Sequence, residues 1–313
     1  MSIFIGNGMV FTNGRLERLN LVIDDRVISD LTTDRVTCER YIDARGKLIL
    51  PGVICSHVLH DFSSAAENGV TTVLAAEDSL LNDHVNYGFH SDSLEMPAAS
   101  VLMDICDPLK SGPSKLVSIR SDNFSTFFPI LKNTKNRIYL RGMGTADLSL
   151  LRKYMKGKVF AELSLDALNS EDSWKSLERV DTLSADPGFF GLQFLLDSVN
   201  KKRLSLEKAV SLLSESPASI FGLVGKGFLR KGFDADLVLV DMFPSLQVAN
   251  TRSHFNGLLL KGWPVMTIVN GKVAFEDKAL FGHCGRPVSY RWDHLEEENE
   301  SIEELSAEEP QPK

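Results

Sequence analysis

Two histidines three residues apart, in "LPGVICSHVLHD" (Leu50 to Asp61), are the first side chains in this chain that could do chemistry. Imidazoles at alternate positions of a strand share one face and can aim at one divalent ion. Such an ion acidifies water and drives hydrolysis of amides. Here the alternate position after His57 is Leu59, and the next histidine is His60. If the strand continues, His60 points to the opposite face from His57, and the two converge only if the strand stops at Leu59. The spacing alone leaves open whether such a pair has moved by one residue or been lost. Other reaction types leave no trace. There is no G-x-S-x-G elbow, no Walker loop and no G-x-G-x-x-G after a strand. "RGMGTAD" (Arg141 to Asp147) lacks the third glycine and the downstream acid, and it reads as a turn leading into a helix.

The elements that must position these residues follow from local pattern. "IFIGNGMVFTNGRLERLNLVIDDRVISDL" alternates apolar runs with Asn-Gly and Asp-Asp turns, the pattern of short hairpins. "YIDARGKLILPG" adds a turn and a strand closed by Pro51-Gly52. From residue 51 to 223 strand-like and helix-like pieces mix. "VTTVLAAE" and "KVFAELSL" read as buried strands, and "DLSLLRKYM" has helical spacing. "SLEKAVSLLSESPASIFGL" is a helix with Ser205 as N-cap. This alternation predicts parallel βα units. Ile105 to Ile138 is poorly patterned and receives no assignment. After Gly227 the chain returns to β: "ADLVLVD" is a strand, and "MTIVNGKVAFED" is a hairpin turning at Asn270-Gly271.

Composition describes an ordinary globular chain of 313 residues, 43% hydrophobic and 24% charged. No apolar run reaches the ~18 residues that span a bilayer, and the N-terminal stretch lacks a secretory pattern. The cysteines, Cys38, Cys55, Cys106 and Cys284, are scattered and read as reduced thiols of a cytoplasmic protein. The net charge of −8 belongs to the C-terminal segment, because Asp293 to Glu309 holds nine acidic side chains and no Lys or Arg. The remainder is close to neutral, so neither nucleic acid nor a membrane is an expected partner. The segment itself is expected to stay solvated or to form a frayed helix.

Five stretches carry a resemblance: "YIDARGKLILPGVICSH", "ENGVTTVLAAED", "LSLEKAVSLLSESPASIFGL", "KGFLRKGFDADLVLVD" and "FNGLLLKGWPVMTIVNGKVAFED". Together and in this order they resemble the dihydroorotase and dihydropyrimidinase branch of the amidohydrolase superfamily. The resemblance implies an α/β fold, a reduced or distorted (β/α) TIM-like barrel plus a small β-sandwich built from both termini. The expected division is a composite sandwich from 1–50 and 226–290, a shortened barrel over 51–225, and an acidic tail over 291–313. The implied chemistry is metal-assisted hydrolysis of a cyclic amide.

The site that the resemblance implies is only partly present. In the family motif "PG-x-I-D-x-H-x-H" Cys55 stands for the Asp, His57 for the first His and Leu59 for the second. The position of the dihydroorotase arginine that grips the substrate carboxylate is Asp61, whose charge would repel that group. The general base and ligand of the last barrel strand corresponds to Asp186, with Pro187 where a His usually follows, and its substrate loop is missing. Capping of the following turn or helix is the plainer role for Asp186. Asp166 lies where a family histidine is expected, and carboxylate does not replace imidazole on neutral terms at zinc. The histidine expected near "NRIYLRGMG" has no counterpart, and Lys110 and Lys115 are not placed to become a bridging carbamate. His84 and His90 read as surface or satisfied core residues, and His254, His283 and His294 receive no role. A catalytic zinc centre takes three protein groups plus water, and only His57 and Asp186 remain in register. The 173 residues from Pro51 to Leu223 also fall short of the ~200–250 that an eight-unit barrel uses, so some βα units should be shortened or missing.

Two functional expectations follow. One is a degenerate homologue with little or no cyclic-amide hydrolysis and no cofactor, acting as a homo-oligomer or beside an active relative or aspartate transcarbamoylase. The other is a working mononuclear hydrolase with a rebuilt zinc site from His57, His60, Asp166 and Asp186, with Asp186 or Asp61 as base.

Overall fold

The computed structural model describes residues 1–58, 63–76, 83–91, 99–103, 116–120, 137–141, 148–154, 159–168, 170–184, 190–249 and 255–291. Both ends of the chain build one β module, as the turn signals predict. Lys47–Pro51 pairs in parallel with Met9–Thr12 and antiparallel with Leu237–Asp241, so strands from the two ends share a seven-stranded sheet. A four-stranded sheet, with Ser2–Gly6 between Asn20–Asp24 and Arg40–Asp43, completes the module. Ile3, Ile5, Leu21, Ile23, Ile49, Leu237 and Ile268 form its core. Each such side chain contributes roughly 1.5–3 kcal/mol on burial. The hairpins turn where expected: Asn13-Gly14 (φ 50° and 77°) and Asn270-Gly271 (φ 49° and 72°) both have positive φ at the two central positions. That is the turn whose twist matches paired strands.

The middle of the chain forms an eight-stranded, all-parallel sheet whose strands are hydrogen-bonded in chain order. They are Val53–Val58, Val70–Ala76, Asn86–Ser91, Ala99–Met103, Leu116–Arg120, Arg137–Arg141, Val159–Ser164 and Thr182–Ser184. Among the described residues no backbone ladder joins the eighth strand to the first. The sheet nevertheless curls on itself. Ser56 of the first strand donates to Glu162 of the seventh at 3.0 Å, whereas a flat sheet would hold those strands about 29 Å apart. The expectation that βα units are missing is corrected in one respect, because all eight strands are present. The economy lies in the connections. Nine residues join the second strand to the third and seven join the third to the fourth, shorter than the dozen or more of a helical crossover. The strands Asn86–Ser91, Ala99–Met103 and Leu116–Arg120 lie in stretches that received no strand assignment, being short and without clear turn chemistry at their ends.

The helices sit where their spacing predicts. Leu148–Tyr154 packs Leu148 and Leu151 onto the sheet. Ser205 caps the helix that starts at Leu206, its hydroxyl accepting from the Lys208 amide at 3.1 Å. That helix continues through a π turn at Ser211–Glu215 into Ser216–Ile220.

Sandwich and barrel are joined by a buried polar knot. Lys226 donates to Asp236 at 2.6 Å and pairs with Asp234 at 2.9 Å. Asn86 of the third barrel strand donates to Asp236 at 2.9 Å, and Asn270 of the hairpin turn donates to Asn86. At the junction itself Gly52 is required by space, because a Cβ there would meet the Thr71 hydroxyl at 2.1 Å.

Candidate functional site

Ladder partners in a parallel sheet present side chains to the same face. Ser118 pairs with Tyr139, Tyr139 with Phe160, Arg141 with Glu162, and Glu162 with Thr182. Ser56, Ser118, Tyr139, Arg141, Glu162 and Thr182 are all buried and form a polar layer on the inner face of the curled sheet, with Phe160 half-buried beside them. Tyr139 is its hub. The phenol donates to Glu162 Oε2 at 2.7 Å, and its oxygen lies 2.6 Å from Thr182 Oγ1 and 3.3 Å from Ser56 Oγ. Arg141 Nε donates to Ser118 Oγ at 2.7 Å, at the C-terminal end of the sixth strand. Below the layer Phe221 meets the Tyr139 ring edge-on at 5.0 Å.

Glu162 is fully enclosed, and burial raises its carboxyl above the ordinary range. Hydrogen bonds from Tyr139 and Ser56, the charge of Arg141 and the Ser184 hydroxyl all pull the other way. Burial, and then the carboxylate beside it, push the Tyr139 phenol well above its usual value. The layer can hold or release one proton at Glu162, but its hydrogen-bonding groups are turned toward one another. Glu162 was missed as a site residue in the sequence. Its signal was an acid inside the apolar strand "KVFAELSL", which must be paired if the strand is buried.

Of the four predicted ligands only Asp166 has a described side chain. His57 lies on the first strand, Val53–Val58, which is bulged between Cys55 and Val58. Strict alternation therefore fails within the strand, between Cys55 and Val58. His60, Asp61 and Asp186 lie outside the described residues. The helix Gly191–Asn200 has Phe190 (φ 59°) at its N-cap. Asp166 is exposed on the one-turn helix Leu165–Ala167, just past the seventh strand. Cys55 is buried among the apolar core. His84 is a satisfied residue, its Nδ1 lying 2.8 Å from the Phe281 carbonyl oxygen. His283 is exposed with Nδ1 2.9 Å from Asp83. Among the described residues no three His, Cys, Asp or Glu side chains are grouped to hold a metal ion. Nor is any helix among them long and apolar enough to cross a membrane.

A curled, eight-stranded parallel sheet joined to a sandwich drawn from both chain ends defines the class: a TIM-like barrel protein with a β-sandwich. Solved structures agree on this fold. The L-hydantoinase (dihydropyrimidinase) from Arthrobacter aurescens superposes with a TM-score of 0.76 at 18% identity, covering 92% of this chain and 99% of that one. A D-hydantoinase structure gives 0.74 at 18% identity, covering 93% and 99%. Residues 169–274 match the model of the amidohydrolase family, and dihydroorotases and hydantoinases are among the proteins similar to this chain. The dihydroorotase of Methanosphaera stadtmanae is 33% identical over 125 residues, 38% of this chain and 28% of that protein. The L-hydantoinase of Paenarthrobacter aurescens is 36% identical over 121 residues, 34% of this chain and 25% of that protein. The matched segment thus spans about a quarter of the length of these curated relatives.

Proposed function

We propose that this chain is a dihydroorotase-like amidohydrolase homologue that has lost most or all cyclic-amide hydrolysis and serves as a structural or partner subunit in cytoplasmic pyrimidine metabolism. It would assemble with itself, with an active relative or with aspartate transcarbamoylase. Within it, 1–50 and 226–290 form the composite sandwich, 51–225 the shortened barrel, and 291–313 an acidic tail. The observation that carries this reading is Asp166. Where the resemblance calls for an imidazole, the chain offers an exposed carboxylate on a surface turn. The barrel interior supports the same reading, because Glu162, Tyr139, Thr182 and Ser56 satisfy one another. A barrel whose inner polar groups are mutually bonded keeps its fold without needing a ligand.

A second reading rests on the bulge between Cys55 and Val58, which breaks the strict alternation of the strand that carries His57. In it His57, His60, Asp166 and Asp186 would hold zinc, which supplies Lewis acidity toward a ring carbonyl, while Asp186 or Asp61 takes up the proton. A carboxylate does not replace imidazole on neutral terms at zinc, so this reading stands second. Metal analysis of the purified, dialysed chain, paired with hydrolysis assays on dihydroorotate, dihydrouracil, hydantoin and allantoin, separates the two. A zinc-free chain silent on all four rings supports the first reading. Retained stoichiometric zinc together with ring opening overturns it.

A further inference from the structure

A cavity of about 340 Å³ lies at the end of the barrel where the strands begin. Phe160, the second residue of the seventh strand, and Asp181, just before the eighth, both line it. Asp166 lies past the opposite end of the seventh strand. The volume is within the range of small-molecule sites. The helix 206–220 presents polar groups to it. Pro217 has no N–H to offer the Leu213 carbonyl, and just before it the helix widens into the π turn Ser211–Glu215. Residues five apart in an α-helix lie about 140° from each other. The wider turn instead sets the Ser211 and Ser216 hydroxyls 2.9 Å apart, both on the cavity wall. One donates to the other, so one hydroxyl hydrogen of the pair remains for a ligand. Ser219 donates to the Glu215 carbonyl at 2.9 Å and keeps its oxygen as an acceptor.

Glu215 supplies the strongest acceptor on this wall. Its half-buried carboxylate, among the described residues, accepts no hydrogen bond and has no cation within ion-pair distance. Burial raises its carboxyl above the ordinary range, while Arg230 at longer range lowers it and Glu207 raises it. Asp181, the other wall carboxylate, is already held by Arg152 and by the Ala161 amide at 2.8 Å. Phe160 and Phe228 add two rings, with the Arg137 guanidinium 4.9 Å over the first and Arg230 4.6 Å over the second. Those cations disfavour a positively charged ligand, and Glu215 with Glu207 disfavours a negative one. An uncharged molecule with adjacent hydroxyls and an apolar face meets neither objection. A carboxylate can accept from two neighbouring hydroxyls at once. We propose that this cavity binds the vicinal diol of a sugar ring, free or as the ribose of a nucleoside. Glu215 accepts from both hydroxyls, the Ser211–Ser216 pair donates to a ligand oxygen, and the C–H face of the ring rests against Phe160 and Phe228.

Saturation-transfer NMR on the full chain with D-glucose, D-ribose and uridine tests this. At least one of them should receive saturation at its ring protons, with a dissociation constant of the order of millimolar for so small a ligand. Binding of uridine above ribose identifies a nucleoside as the source of the diol, and binding of the sugars alone a free sugar. If uridine binds, 2′-deoxyuridine, which lacks the diol, should bind at least about tenfold more weakly. Glu215→Ala should weaken the binding by a similar factor, and alanine suits its helical position, so folding is retained. Ser211→Ala should weaken it as well. Absence of transfer to all three probes at tens of millimolar overturns the proposal. So does transfer that Glu215→Ala leaves unchanged, or displacement of the sugar by putrescine, since the occupant is then an organic cation.

Discussion

Replacing Tyr139 with Phe isolates the contribution of one hydroxyl. The ring stays, and so does its edge contact with Phe221 at 5.0 Å. What is removed is the donor to Glu162 at 2.7 Å and the partner of Thr182 at 2.6 Å. A hydrogen bond to a charged acceptor is worth about 1.5–3 kcal/mol and a neutral one about 1 kcal/mol. Thr182 is fully buried, with no water available to replace the lost partner. Tyr139→Phe should therefore destabilise the chain by about 2–4 kcal/mol, a large share of the 5–15 kcal/mol of a typical domain. The loss should deepen as pH rises. The phenol helps to hold the Glu162 proton affinity down, so without it the buried carboxylate is costlier to ionise. Urea unfolding at several pH values, read at constant m-value, measures both effects. A change below about 0.5 kcal/mol at neutral pH, or a double-mutant cycle with Glu162→Gln showing no coupling, would refute the hub role assigned to Tyr139.

Three further outcomes are expected. Glu162→Gln should remove a pH dependence of stability: with its folded value raised above 4.5, Glu162 stabilises fully below that pH, and its contribution is lost as pH rises through the folded value. The wild-type advantage over Gln should therefore shrink with rising pH, and a constant difference in urea midpoint would contradict the assigned burial. Lys226→Met should cost about 3–5 kcal/mol by leaving Asp236 buried without its cation, while the half-buried Asp234 keeps Arg26 at 3.6 Å, read by thermal or urea unfolding. Gly271→Ala should destabilise more than the ~1 kcal/mol of a simple positive-φ penalty, because its Cβ would meet the Asp25 carbonyl at 2.0 Å. A differential scanning measurement that finds Gly271→Ala as stable as wild type would argue against that packing.

Local chemistry in the sequence was enough for the sandwich. Asn13-Gly14 and Asn270-Gly271 specify their turns through backbone sterics alone, and the apolar runs beside them alternate with a period of two. Ser205 likewise announced its helix, because an N-cap acts within three residues. The barrel was legible only in part. Val70–Ala76 and Val159–Ser164 are apolar enough to stand out, whereas Ala99–Met103 and Leu116–Arg120 are five-residue strands defined by their neighbours' ladders. The site divides in the same way. Residue types at Leu59, Asp61 and Asp166 could be read one at a time, and the proposal of lost hydrolysis starts from them. What folding alone decided was the meeting of Ser56, Tyr139, Glu162 and Thr182, up to 126 positions apart, at hydrogen-bond distance inside the curled sheet. No local rule encodes that meeting, because it depends on the sheet's curvature bringing its first strand back to its seventh.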